Sequence, residues 1–302
     1  EAMDAERASL RAFETYDEVP EDEALADAQA EIVSSRWLII RKASGRIKCR
    51  LVAQQLNRGE LMDTFAATAS GVSARLVMAV AMTRRRQGEA WVIKTGDVAT
   101  AFLHASLPKD RRIYIKPPST EGAATMWRLK KALYGLRESP RLFQQHLAAV
   151  AEQCGWVRGK IDPQLYYHEK TGAMMSVFAD DLLIAAPCAV EEQLRRDLEA
   201  HLKIKWGETI DEKAWVRYLG KEWKQDAAGN IMVRIPPHYW QTLLEETGMS
   251  GCCSLTTPME RRSAADDSSA LLDRSQRASY RRAVGRLLWT VSVRPDIGYT
   301  TK

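Results

Sequence analysis

No stretch of this 302-residue chain is apolar for long enough to cross a membrane as a helix. The longest uninterrupted apolar run is the seven residues from Leu76 to Met82, against the ~20 that a span needs. The same shortage leaves no core for a secretory signal peptide. Cysteine is scarce: Cys49, Cys154, Cys188, Cys252 and Cys253 form no CxxC pair, and the five histidines show no zinc-ligand spacing. A disulfide framework and a zinc site are therefore not expected, and a reducing compartment is the default. There is no internal repeat. No methionine opens the chain and its end runs straight out of an ordered-looking segment, so it reads as a piece of something longer.

What is present fits a soluble globular class, with 45% hydrophobic and 27% charged residues. At roughly 100–200 residues per domain, the length allows two domains or one large multi-lobed one. The net charge of +5 is unevenly spread. Residues 1–35 hold eleven acids and two arginines, while residues 36–60 hold seven cations against Glu60. The first segment reads as an acidic leader, either a solvated helix or a linker. A polyanion would bind the basic body.

Trp37 to Ile40 and Ile47 to Ala53 read as a hairpin turning at Ser44-Gly45. Alternation puts Ile47, Cys49 and Leu51 on one face of the second strand and Lys48, Arg50 and Val52 on the other. Residues 72–86 read as a helix on the spacing of Val72, Leu76, Ala79 and Val80. Trp91 to Lys94 is a short strand leading into Gly96-Asp97. Ser139-Pro140 opens a helix, with Ser as N-cap, that Gly155 ends. Val190, Leu194, Leu198 and Leu202 mark another amphipathic helix. Trp215–Lys224 and Ile231–Ile235 read as a hairpin. Pro236-Pro237 starts a helix, residues 260–275 form a polar linker, and a last helix spans Arg277 to Val293.

Asp180 and Asp181 interrupt the apolar run MMSVFADDLLIAA, where two buried unpaired acids would be costly. A solvated hairpin tip explains them, and so does a site for a hard cation such as Mg²⁺. Asp97 ends a strand 83 residues earlier. If the two segments paired, three carboxylates would converge, the constellation of two-metal phosphoryl transfer.

A wider pattern joins these elements. IKCRLVAQQ, DTFAATAS, DVATAFLHASL with IYIKPP, WRLKKALYGLRESPRLF, DPQLYY, FADDLLIA, YLGKEW, YWQTLLEETGM, TTPM and YRRAVGRLLWTVSVRPDIGY follow one another along nearly the whole chain. In identity and order these blocks resemble the reverse transcriptase of copia-type retrotransposons, a fragment of a Pol polyprotein.

The resemblance implies an α+β right-hand polymerase fold with an antiparallel palm sheet backed by helices. Fingers and palm would interleave over 36–235. Thumb and the start of a connection toward a missing RNase H domain would take 236–302. Asp97, Asp180 and Asp181 match the catalytic carboxylates, and Val98 would add a backbone carbonyl to the metal. Lys48 and Arg50 match a strand that grips the triphosphate. Phe102 matches the aromatic under the incoming sugar, which excludes a 2′-hydroxyl; core packing is the lesser alternative. Tyr134, Gly135 and Ser139-Pro140 match the loop and helix start that hold the templating base and nucleotide, and Arg137 would contact phosphate of the template-primer. Lys203 or Lys205 would lie near the leaving pyrophosphate. Phe178 would lie near the template-primer, and Tyr218, Leu219 and Gly220 resemble the primer-gripping hairpin.

Some positions depart from the family pattern. Phe178 and Ala179 stand for Tyr and Val, His104-Ala105 for Asn-Gly, Ala67 for a proline, and Arg137-Glu138 for Lys-Gln. The implied reaction adds dNMPs to a primer 3′-hydroxyl on an RNA template, with two Mg²⁺ ions (or Mn²⁺). The implied neighbours are integrase upstream and RNase H downstream. The implied setting is a cytoplasmic virus-like particle, its cDNA later in the nucleus, with no membrane partner. A catalytically dead nucleic-acid-binding remnant and a two-metal nuclease or strand transferase are the rival readings.

Overall fold

The computed structural model describes residues 1–41, 45–57, 59, 62–118, 121, 125–254 and 270–301. Ser44 of the expected turn, Lys42 and Arg58 of the basic stretch, the TTPM block and most of the expected linker lie outside these residues. The chain divides into two units, Glu1–Thr209 and Ile210–Lys302.

The first unit opens with α1 (Ala2–Ala12), β1 (Tyr16–Pro20), α2 (Glu21–Ala26), β2 (Glu31–Arg41) and β3 (Ile47–Ala53). It continues through α3 (Gly71–Arg86), β4 (Trp91–Val98), α4 (Ala101–His104), β5 (Ile113–Lys116), β6 (Thr125–Leu129) and α5 (Ser139–Gln153). β7 (Trp156–Arg158), β8 (Leu165–His168), β9 (Met174–Phe178), β10 (Asp181–Pro187), α6 (Cys188–Glu199) and β11 (Ile204–Thr209) complete it. Two sheets result. One has the order β1-β6-β5-β2-β3, in which only β2 and β5 run parallel. The other has the order β11-β4-β10-β9-β8-β7 and is antiparallel throughout. The expected α+β class and helix-backed antiparallel sheet are thus both present.

Residues 1–35 are not a solvated leader or linker. Leu10 is 1% exposed and joins Val33, Leu51, Leu103, Ile113, Ile115 and Leu133 in one core. Tyr16 stacks on Trp127 with ring centroids 4.2 Å apart. The leader's charges meet partners far along the chain. Asp17 pairs with Lys130 at 2.8 Å, Asp27 with Arg112 at 3.1 Å, and Arg7 with Glu121 at 2.7 Å. A segment that looks self-repelling in sequence is complementary in space.

The face of α3 also differs from expectation. Ser73, Ala74, Val77, Met78 and Ala81 are buried, whereas Val72 is 72% and Leu76 43% exposed. This helix is apolar on more than one side, so spacing alone could not choose; the smaller face lies on the sheet. The N-terminus of α5 differs by one step. Glu138 is its N-cap, and the buried Ser139 donates its hydroxyl to the Leu133 carbonyl at 2.6 Å instead of capping.

The second core gathers Phe143 and Leu147 of α5, Met175, Val177, Leu182 and Ile184 of the six-stranded sheet, and Leu194, Leu198 and Leu202 of and after α6. The DPQLYY block ties this region to α3. Asp162 accepts from the Ser70 amide at 3.2 Å, from the Gln164 amide at 2.9 Å and from the Ser73 hydroxyl.

The second unit holds β12 (Val216–Tyr218), β13 (Lys221–Gln225), β14 (Ile231–Arg234), α7 (Pro237–Glu246) and α8 (Arg274–Thr290). The expected long strand over 215–224 is itself a hairpin, turning at Leu219-Gly220, so three strands form rather than two. Among the described residues these strands pair only with one another, and the boundary between the two units falls at Thr209/Ile210.

Replacing Asp162 by Ala removes an acceptor from three donors. Urea unfolding should show a loss of about 1–2 kcal/mol at neutral pH. Burial pulls this carboxyl up, but the Ser73 hydroxyl and the Gln164 and Ser70 amides outweigh it and hold it below its ordinary value. The Asp162→Ala difference should therefore shrink as acid protonates the wild-type side chain.

Candidate active site

The site begins as a matter of strand register. β9 and β10 form a hairpin in which Phe178 faces Asp181 across a two-residue turn, Ala179-Asp180. Such turns need a left-handed residue to match the twist of the strands, and Ala179 supplies it at φ +55°. β4 lies on the other side of β10 and places Asp97 directly opposite Asp181. The Val98 amide donates to the Asp180 carbonyl at 2.8 Å, which ties the turn to the end of β4. β11 then sets Lys205 opposite Asp97. Since cross-strand partners share a face, Lys205, Asp97, Asp181 and Phe178 form one row. Gly96 permits this spacing, because a Cβ there would lie 2.9 Å from the Trp206 ring of β11.

The carboxylates feel one another. Asp181 is pushed up to about 6, first by burial and then by Asp180 and Asp97. Asp97 is raised by burial and by Asp180, while Lys48, Arg50 and Lys205 pull it back. Among the described residues, no group of three or more His, Cys, Asp and Glu side chains is placed to hold a metal ion, so the expected convergence of three carboxylates is not complete: the register pairs Asp97 with Asp181 and leaves Asp180 at the turn. The donor set nevertheless suits a hard divalent ion. Mg²⁺ is held characteristically by one or two carboxylates plus substrate phosphates rather than by an all-protein cage. Two acids raised by burial and by the neighbouring Asp180 charge are a place where added positive charge is favourable.

A second group stands near them. Arg50 of β3 lies over the Tyr134 ring, 4.5 Å from its centroid, and Phe102 of α4 meets the same ring edge-on at 5.0 Å. Burial pushes Tyr134 up to about 12, with Arg50 opposing and Glu6, Asp180 and Asp97 adding to the rise. These groups therefore share one electrostatic neighbourhood. Phe102 packs against both cores of the unit, so its packing role is real and coexists with its place beside Tyr134. Gly135 has φ +89°, and a Cβ there would sit 2.0 Å from the Ala53 carbonyl oxygen, so only glycine allows the loop to approach β3.

Not every expected residue is available to a ligand. Ser139 is fully buried, with its hydroxyl committed to Leu133, so it closes the loop rather than touching template. Tyr218 is 3% exposed, so only the half-exposed Leu219-Gly220 turn is left to meet a partner. That turn has two left-handed residues, φ +49° and +75°, and Gly220 lies against Trp289 of α8. The Arg137 amide is engaged by Gln55 at 2.6 Å.

Of the two lysines left open by the sequence, Lys205 shares the acids' face; Lys203 accepts the Ala99 amide through its carbonyl. Glu138 is expected from the sequence as an acid near a polyanion site, whereas nothing in the sequence points to Glu6. Glu6 is buried under β3, accepts from the Leu51 amide and lies within the fields of Arg50 and Lys48. Glu138 faces Arg111 at 2.9 Å and Arg141 at 3.6 Å rather than a polyanion. Only the partner strands and loops reveal these roles.

This geometry agrees with the chain's relationships. The pattern of the family described as "Reverse transcriptase (RNA-dependent DNA polymerase)" matches residues 24–261, and the chain belongs to that family. It is similar to the Retrovirus-related Pol polyprotein from transposon RE1 of Arabidopsis thaliana. The two are 29% identical over 303 residues, covering 94% of this chain and 19% of that protein. The corresponding polyprotein from transposon TNT 1-94 of Nicotiana tabacum is 24% identical over 286 residues, covering 87% and 21%. The chain thus spans about a fifth of the length of these curated relatives. A foamy viral protease-reverse transcriptase solved with double-stranded DNA aligns with a TM-score of 0.43 at 12% identity, over 85% of this chain and 36% of that one.

In metal-free buffer the raised Asp181 predicts a pH signature. Between about 4, the unfolded value, and 6 the native state holds a proton that the unfolded chain releases. Stability should therefore fall as pH rises through this window. Asp181→Asn should melt higher than wild type above pH 6 and equal to it below about pH 4, checked by thermal unfolding.

Proposed function

We propose that this chain is the catalytic part of an RNA-directed DNA polymerase, adding dNMPs to a primer 3′-hydroxyl on an RNA template by two-metal catalysis. The observation that carries the reading is the pairing of Asp97 with Asp181, with Asp180 at the adjoining turn, in a member of the reverse transcriptase family. Asp97, Asp180 and Asp181, with the Val98 carbonyl, would hold Mg²⁺ or Mn²⁺. Such ions, when bound, activate the primer hydroxyl and neutralise charge on the phosphates.

The chain's own residues do the rest. Lys48 and Arg50 attract and orient the triphosphate, and Lys205 adds positive charge beside Asp97 where pyrophosphate leaves. Phe102 and Tyr134 present aromatic surface to the sugar and base. Phe178 in the first unit and, separately, the Leu219-Gly220 turn in the second each serve as template-primer contacts. The five-stranded sheet corresponds to fingers, the six-stranded sheet to palm, and residues from 236 onward to thumb. α8 carries five arginines and no acid, which suits a nucleic-acid backbone and implies steep weakening by salt. Integrase and RNase H would flank this piece in a longer polyprotein. The setting would be a cytoplasmic particle whose cDNA later enters the nucleus.

The test is primer extension with an RNA template, a DNA primer, dNTPs and Mg²⁺. Wild type should extend, and Asp180→Asn/Asp181→Asn should lose at least about 10³-fold, the scale of removing charge stabilisation from phosphoryl transfer. Salt-sensitive template-primer binding by folded wild-type chain without extension would reject the polymerase reading in favour of an inactive nucleic-acid-binding remnant. Phe102→Val should lower the preference for dNTP over rNTP, measured as the ratio of kcat/KM values, by roughly tenfold or more.

A further inference from the structure

The turn carrying Tyr134, Gly135 and Arg137 is held from outside. The Tyr134 carbonyl accepts the Ala53 amide at 2.7 Å. The Arg137 amide donates to Gln55 Oε1 at 2.6 Å, and Gln55 Nε2 donates to Glu31 Oε1 at 2.6 Å. Glu31 Oε2 accepts from Arg111 Nη2 at 2.8 Å, and Arg111 Nε donates to Glu138 Oε1 at 2.9 Å. Glu138 follows Arg137 in the chain, so the links close into a ring: Arg137, Gln55, Glu31, Arg111, Glu138 and back through one peptide bond. Arg111 bridges the only two carboxylates in that ring. Glu138 is 3% exposed.

We propose that Arg111 is a positioning residue for nucleotide binding. It clamps Glu138 to Glu31 of β2, fixing the Tyr134–Arg137 turn against β3 and hence the Tyr134 ring beneath Arg50. The inference rests on the polymerase reading above. The chemistry is specific to a guanidinium. Its rigid fork serves two carboxylates from different nitrogens at once, whereas an ammonium is a single point charge. Arg111 reaches Tyr134 only through this ring, so its effect on a ligand is indirect, through the placement of Tyr134 and Arg50.

A pair that only stabilises the fold would behave differently. Arg111→Met alone strips the buried Glu138 of its 2.9 Å partner, and should lower stability. Arg111→Met/Glu138→Met removes both charges and should recover most of the lost Tm. The measurement is steady-state dNTP addition on a fixed template-primer, with Tm and template-primer affinity taken alongside.

The expected result for the double variant is a rise of roughly tenfold in KM for dNTP, with kcat within about threefold and template-primer affinity unchanged. Arg111→Lys should also raise KM. Gln55→Ala opens the ring without stranding a buried charge and should raise KM in the same direction by about threefold, which keeps the test available if the double variant does not fold. Unchanged KM in either folded variant would overturn the positioning role while leaving the polymerase reading intact. Wild type that binds template-primer but adds no nucleotide would remove both.

Discussion

The antiparallel register of β4 on β10 is the constraint on which the rest of this structure depends. It sets two acids, Asp97 and Asp181, directly opposite each other, an arrangement that costs stability in any sheet. A slip of β10 by one residue would turn Asp181 into the core and bring Leu182 out. The fold prevents that slip with a well-packed opposite face: Leu182, Ile184, Met175 and Val177 are each at most 1% exposed and sit under α5 and α6. The apolar side of the sheet thus enforces the repulsion on its polar end. Burial raises Asp97 and Asp181 first and the charge of Asp180 adds to it, and a half-buried acidic spot of this kind is receptive to cations.

Away from the paired acids, several charges of the first unit face their opposites from distant segments. The acidic leader meets Lys130 and Arg112, Glu138 meets Arg111, and Lys205 stands across from Asp97. Net charge along the sequence therefore says little about which residues remain to greet a polyanion. Position in the fold says more: Lys48 and Arg50 lie on β3, the edge strand of its sheet.

Much of the site was legible in the sequence because its residues lie in short local motifs. A two-residue turn between two apolar strands presents Asp180 and Asp181 whatever the rest of the chain does. The alternation of β3, with Lys48 and Arg50 on one face, needed only a period of two. What stayed hidden depends on partners far away in sequence. The buried face of α3 was misread because both of its stripes are apolar. Ser139 looked like a cap, although a carbonyl six residues back takes its hydroxyl. Residues 1–35 looked solvated because local pattern cannot show that Leu10 and Tyr16 have cores to join. The hairpin at Leu219-Gly220 was hidden inside what looked like one strand, because its turn lacks the usual Asn-Gly or Asp-Gly signal.

β3 is the outer strand of its sheet, and two contacts close its open side: the Glu6 carboxylate takes the Leu51 amide and the Tyr134 carbonyl takes the Ala53 amide. The N-terminal helix is therefore a cover as well as a packing element. A shorter recombinant chain begun at residue 36, where the basic body starts, would cut β2 in the middle and remove both β1 and that cover. The bare strand edge left behind is a template for pairing with other molecules. Such a fragment would aggregate even with every carboxylate of the site intact.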